Sequence, residues 1–220
     1  MNPVKYWLSA LLLIVSFGAL STEGSSLGDN VRVPLEDGWH YRWGDSPISN
    51  GVPEWTQDGD HLAWLPIEFP SDPPFREGQN NVWYRYPLPT GELPGNSLYI
   101  FSVDLIVEIY LEDQLIYNYG SFAADGSGSF EGWPWHLIDL PHDSAGKDLY
   151  FRIYSDYSDI GLWGEISLGS EYAHLQHIIR RDLLPLTVGL LFITCGIAMI
   201  LSNLICWRTP ILLMGVFMLN

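Results

Sequence analysis

Residues 183–206, LLPLTVGLLFITCGIAMILSNLIC, carry no charge; Asp182 precedes them and Arg208 follows closely. Built as a helix, the stretch is about 36 Å long at about 1.5 Å per residue, against roughly 30 Å of bilayer hydrocarbon. Its polar groups are Thr187, Thr194, Ser202 and Asn203, too few and too small for the wet stripe of a helix lying on a soluble core. Pro185 falls in the first turn, where a missing N–H costs little. A transmembrane helix is expected here, with the chain before it and the chain after it on opposite sides of a membrane.

Residues 1–21, MNPVKYWLSALLLIVSFGALS, set one lysine ahead of a short apolar run that ends in small residues. This is the pattern of a secretory signal peptide, which places residues 22–182 outside the cell membrane. Cys195 and Cys206 both lie in the membrane stretch. They would stand about 16 Å apart on one helix, beyond the roughly 7 Å that a disulfide bridges. The exported part has no cysteine, so packing alone must hold it, as suits a domain in the periplasm at the bacterial inner membrane. After a turn-like Trp207-Arg208-Thr209-Pro210, the apolar residues 211–220 are expected to begin a second membrane helix of a longer, multi-span protein.

The net charge is −16, and all 26 acids lie between Glu23 and Asp182. Such a surface repels phosphate backbones, which argues against nucleic acid as a partner. Residues 25–170 alternate short apolar segments with Gly, Pro, Asn and Asp clusters. Strands are expected at 30–35, 39–43, 62–69, 82–88, 97–103, 106–111, 115–119, 135–140, 149–155 and 162–168. Val107, Ile109 and Leu111 should face one side with Glu108, Tyr110 and Glu112 opposite, and Leu149, Phe151 and Ile153 alternate with Tyr150, Arg152 and Tyr154. Short strands at this spacing argue for an all-β, jelly-roll type sandwich. In residues 171–182, Tyr172, Leu175, Ile178 and Ile179 recur at helical spacing, with Glu171, His174 and His177 on other faces. An amphipathic connector running into the membrane helix follows.

The order of parts resembles that of bacterial seven-transmembrane receptors with diverse intracellular signalling modules. The resemblance is carried by Gly38-Trp39 and Trp43, by Asn81-Val82-Trp83-Tyr84-Arg85, by the hairpin VEIYLEDQLI at 107–116, by residues 149–155, and by GLWGEISLG at 161–169. The hairpin is also similar to one in sugar-binding jelly rolls attached to glycosidases, although Glu112-Asp113 stands where those carry Asn-Gly. The resemblance implies a galactose-binding-like ectodomain followed by transmembrane helices. It also implies a sensory role, with an output enzyme such as a diguanylate cyclase or histidine kinase inside the cell.

With 10 Trp and 12 Tyr, aromatics are plentiful. Trp133, Trp135 and His136 follow a Gly/Ser/Asp loop, while Tyr154, Tyr157 and Trp163 lie near the chain's return. Aromatic faces stack on sugar rings and nearby carboxylates accept hydroxyl protons, a task open to Asp125, Glu131, Asp156 and Asp159. The expected ligand site is Trp133, Trp135, His136, Tyr157, Asp159 and Trp163, for a small polar ligand with carbohydrate among the candidates. For any single aromatic the commoner role is core filling. No catalytic pair, nucleophile elbow or cysteine nucleophile is discernible. No cofactor is expected, a structural calcium at residues 125–129 is left open, and a homodimer is allowed. The competing class is a membrane-anchored carbohydrate-binding or glycan-active protein.

Overall fold

The computed structural model describes residues 31–57 and 63–217, with side chains as far as residue 204. The expected signal peptide and residues 218–220 lie outside the described residues. Among those described, the strands are β1 (Arg32–Pro34), β2 (Trp39–Trp43), β3 (Ile48–Ser49), β4 (Val52–Pro53), β5 (Leu65–Ile67), β6 (Asn81–Pro87), β7 (Ser97–Val103), β8 (Ile106–Leu111), β9 (Gln114–Tyr119), β10 (His136–Asp139), β11 (Asp148–Tyr154) and β12 (Leu162–Gly169). A long helix, α1 (Glu171–Phe217), follows. The strands form a four-stranded sheet, β1-β12-β7-β10, and a six-stranded sheet, β5-β2-β6-β11-β8-β9, every pairing antiparallel.

The two sheets close on one core. Leu98, Ile100, Ile138, Ile166 and Leu168 of the smaller sheet meet Trp39, Tyr84, Val107, Ile109, Leu149, Phe151 and Ile153 of the larger. The expected alternation holds: Val107, Ile109, Leu149, Phe151 and Ile153 are fully buried inside, and the intervening residues turn outward. A second aromatic layer covers the outer face of the larger sheet, where Trp64, Trp83, Tyr110 and Tyr150 pack together with Trp55 against them. The segment after β2 supplies that cover. It was expected as a loop, yet it contains the β3–β4 hairpin and a 3-10 turn at Glu54–Thr56. Strands of two residues carry too little alternation to be read.

The β8–β9 turn explains its unusual residues. Glu112 adopts φ +52°, a region that favours Gly or Asn. Its N–H donates to the Asp148 carbonyl (2.9 Å), and its carboxylate accepts the Asp148 N–H (2.8 Å). Two bonds to β11 offset the backbone strain.

No linker separates sandwich from helix. β12 ends at Gly169, the Ser170 hydroxyl accepts the Ala173 N–H (3.2 Å) as an N-cap, and α1 begins at Glu171. The first three turns lie on the outer face of the smaller sheet. His174 Nε2 donates to the Ser97 carbonyl (3.1 Å), its Nδ1 accepts from Arg32 Nε (3.2 Å), and its ring stacks on Tyr99. Those two bonds select the neutral Nε2–H tautomer. His177 reaches Glu165 (3.4 Å), which also receives Arg32. Arg181 bonds the Tyr99 hydroxyl (3.2 Å) and sits 5.2 Å over the Phe101 ring. As α1 runs from His174 to Arg181 it therefore follows β7 from Ser97 to Phe101, in the same direction.

This docking corrects the expected connector. Ala173, His174 and Ile178 are buried, whereas Tyr172, Leu175 and Ile179 are exposed. The sheet face beneath offers a carbonyl, a phenol, a carboxylate and a guanidinium, so the helix meets it with Ala173 and the polar His174 as well as Ile178. The helix also continues through 207–210, where a turn was expected. Helix-permissive Ile, Leu and Met follow Pro210, and one proline removes a single bond without requiring a turn. From Leu183 to Leu204 almost every residue is exposed, and the helix is long and apolar enough to cross a membrane.

Candidate functional site

Arg152 is the charge that β11 places at the centre of the larger sheet's outer face. Its Nε and Nη2 grip Asp45 in a two-point fork (2.8 and 2.5 Å), and its Nη1 donates to Glu108 (2.9 Å). Its guanidinium lies 4.0 Å from the centre of the Phe122 ring. The register sets Arg152 directly across from Glu108 on β8 and from Trp83 on β6. Trp83 Nε1 donates to Asp45 (3.1 Å) and the Tyr110 hydroxyl to Glu108 (2.8 Å), so both carboxylates receive neutral donors besides the arginine. Burial and the Glu108 charge push the Tyr110 phenol far above its ordinary range. It stays a donor at any ordinary pH.

These groups floor an open cleft of about 540 Å³, walled by Ser46, Pro47 and Ile48 on one side and by Phe122, Ala123 and Ala124 on the other. Two carboxylates against one guanidinium leave it with an excess negative charge. Chemically it presents hydrogen-bond acceptors beside an apolar ring and a short aliphatic wall, a lining suited to a neutral or cationic polyhydroxyl or amine. The 120–128 loop over it is fixed by design: Asn81 Nδ2 donates to the Gly126 carbonyl (2.7 Å). Gly120, at φ +79°, closes so tightly on Ile106 that a Cβ there would stand 2.1 Å from its Cγ2.

The expected site residues part company. Trp133 and Tyr157 come together through Phe130, whose ring lies 5.0 Å from the one and 6.4 Å from the other. Trp135 is exposed just before β10, and Asp159 is exposed with its carbonyl held by the Ser155 hydroxyl (2.8 Å). Trp163 does not join them. Its indole N–H donates to Asp104 (2.5 Å), bolting the start of β12 to the β7–β8 turn. Burial raises the Asp104 carboxyl despite that bond. His136 is withdrawn into the core at 3 % exposure, because β10 pairs it with inward-facing Ile100. Of the carboxylates, Asp125 is taken up by the Ser127 hydroxyl and N–H (2.6 and 3.1 Å). Among the described residues no three His, Cys, Asp or Glu side chains converge as metal ligands.

His136 contributes a pH signature of its own. Its Nδ1 lies 2.8 Å from the Tyr117 hydroxyl, Nε2 has no hydrogen-bond partner among the described residues, and burial lowers the pKa to about 4. An unfolded chain titrates near 6.5, so the fold prefers the neutral ring. That stability is complete above about pH 6.5 and is lost as pH falls towards 4. Urea midpoints at pH 7 and pH 4.5 should show the parent losing up to about 3 kcal/mol more than His136→Gln, the carboxylates common to both cancelling. Equal losses in the two proteins would remove His136 from the acid response.

Asp45, Glu108, Arg152 and Phe122 escaped the sequence reading. One signal was present: a lone arginine between two tyrosines on the outward side of a strand whose other side is wholly apolar.

No protein-family model matches the chain, and no curated protein matches it. Solved structures similar to it include a glycosyl hydrolase family 2 member from Bacteroides cellulosilyticus, with 15% identity over 63% of this chain and 20% of that one, TM-score 0.43. Another is the Ruminococcus gnavus beta-glucuronidase, with 14% identity over 68% and 29%, TM-score 0.44. A third is the Parabacteroides merdae beta-glucuronidase, with 16% identity over 63% and 22%, TM-score 0.42. The chain thus spans less than a third of each, at scores too low to carry an assignment. The architecture rests on the strand order and register above.

Proposed function

We propose that this chain is the ligand-sensing part of a bacterial multi-span membrane receptor. In this reading a jelly-roll sandwich of galactose-binding-like type stands in the periplasm. It takes a small polar ligand of carbohydrate character in the Asp45–Arg152 cleft, and moves the first membrane helix of a longer protein. The described residues bind without turnover, and an intracellular module such as a diguanylate cyclase or histidine kinase receives the signal.

The joint between β12 and α1 carries this reading. A domain that needed only tethering would work on a slack linker. A sandwich that biases a two-state membrane bundle needs its displacement handed on undiminished. One residue intervenes here, and His174, His177 and Arg181 key the helix to the sheet.

The test uses the whole chain in detergent. A ligand at a hundred times its Kd adds about 2.7 kcal/mol of stability. One compound from a panel of neutral sugars and amines should therefore raise the melting temperature, and Ala124→Trp, which fills the cleft, should abolish the rise. The same ligand should change amide exchange in residues 171–181. A rise that survives Ala124→Trp puts the ligand elsewhere; binding that leaves 171–181 unchanged reduces α1 to an anchor.

A further inference from the structure

We propose that the loop end of the sandwich bearing Phe75, Phe130, Trp133, Trp135 and Tyr157 rests in the headgroup layer of the bilayer that α1 crosses; this rests on the membrane-anchored reading above. The first support is direction. Because α1 follows β7 from Ser97 to Phe101, it points at the end where β7 stops, β8 begins, β11 stops and β12 begins. The loops 104–105, 120–135 and 155–161 gather there. Arg76 brings the 70–80 loop to the same end, donating to the carbonyls of Ser155, Tyr157 and Ser158 (2.8, 2.7 and 2.6 Å).

The second support is the distribution of exposed rings. Among the described residues of the sandwich, the exposed Phe and Trp are Phe75 (76 %), Phe101 (42 %), Phe130 (46 %), Trp133 (62 %) and Trp135 (42 %). All five stand at this end, together with Tyr157. Phe101 stands on β7, and the others are presented by segments pinned rather than slack, through Arg76, through the Asn81–Gly126 bond and through Phe130 packed on Trp133 and Tyr157.

The third support is depth. Arg181 reaches the level of Phe101, and the uncharged run starts two residues later at Leu183, about 3 Å further along the helix. β7 itself extends two residues past Phe101, about 7 Å, before the loops begin. The loop tips therefore lie level with the first turns of the apolar helix, where a bilayer has its interface. Tryptophan and tyrosine, with an apolar ring and a polar edge, partition to that layer. Glu131, Asp156 and Asp159 among them limit the contact to headgroup depth and favour a zwitterionic surface over an anionic one.

The whole chain with Cys195→Ser and Cys206→Ser, reconstituted in phosphatidylcholine nanodiscs, gives the test. An environment-sensitive fluorophore is attached through Trp133→Cys, Tyr172→Cys or Ile193→Cys in separate samples. Bromine-labelled lipid should quench the label at 133 several-fold more than the label at 172, which marks the opposite end, and iodide in the water should do the reverse. Labels at 133 and 172 that respond alike to both quenchers overturn the proposal and leave the rings free for a soluble ligand. Ile193 separates the two readings. If it escapes bromolipid quenching the anchored reading fails, and the proposal with it; if it is quenched while 133 is not, the patch alone is refuted.

Discussion

Arg152→Ala should unfold the sandwich at markedly lower denaturant, with a loss of about 3–5 kcal/mol, the range for breaking a buried ion pair from one side. Asp45 and Glu108 would keep their positions under the 120–128 loop with their cation gone, and Trp83 and Tyr110 cannot neutralise two carboxylates. The size of the effect comes from the charges left behind rather than from the contact removed. Arg152→Met combined with Asp45→Asn and Glu108→Gln should therefore recover most of the loss, since replacing a whole buried network by neutral groups is often neutral. Urea melts of the parent, Arg152→Ala and the triple variant would read this directly. A triple variant as unstable as Arg152→Ala would show that packing against Phe122, and not charge, is what the arginine provides.

Gly95→Ala should damage the joint. A Cβ at residue 95 would stand 2.1 Å from the Gly169 carbonyl carbon and 2.4 Å from the Ser170 nitrogen, both backbone atoms that no rotamer change can move. Overpacking usually costs about 1–3 kcal/mol, and a clash with main chain falls at or above the top of that range. Its consequence is local in origin: the β12 end and the N-cap of α1 must shift, weakening the His174–Ser97 bond. Amide exchange in residues 171–178 should accelerate more than in β6 or β11. Uniform acceleration would mean that the joint and the sandwich open as one unit. Gly95→Ala with parent-like exchange throughout would show that the 89–96 loop simply swings aside.

Much of the architecture was legible because it follows from local pattern. The period-two alternations at 107–111 and 149–154 named their inward and outward faces correctly, and an uncharged stretch of two dozen residues announces a helix long and apolar enough to cross a membrane without reference to anything else. The site was less legible because it is assembled across the sequence. Asp45 and Arg152 are 107 positions apart, Arg76 and the carbonyls it clamps about 80, and His174 and Ser97 77. Only the register of β11 between β6 and β8 makes neighbours of Arg152, Glu108 and Trp83. The connector misled for a different reason: apolar spacing shows which side of a helix is greasy, and here the partner surface is polar.

The docking of α1 along the smaller sheet hangs the sandwich to one side of the helix axis, like a cam on its shaft. The cleft lies on the far sheet, so it is separated from the axis by the near sheet and the core. With helix-to-sheet and sheet-to-sheet spacings of about 10 Å each, its arm is about 20 Å. A rotation of α1 by about 10° then sweeps the cleft through about 3.5 Å, and conversely a force at the cleft acts on the helix as torque. Twist, rather than a piston stroke, is the motion this geometry couples to most strongly.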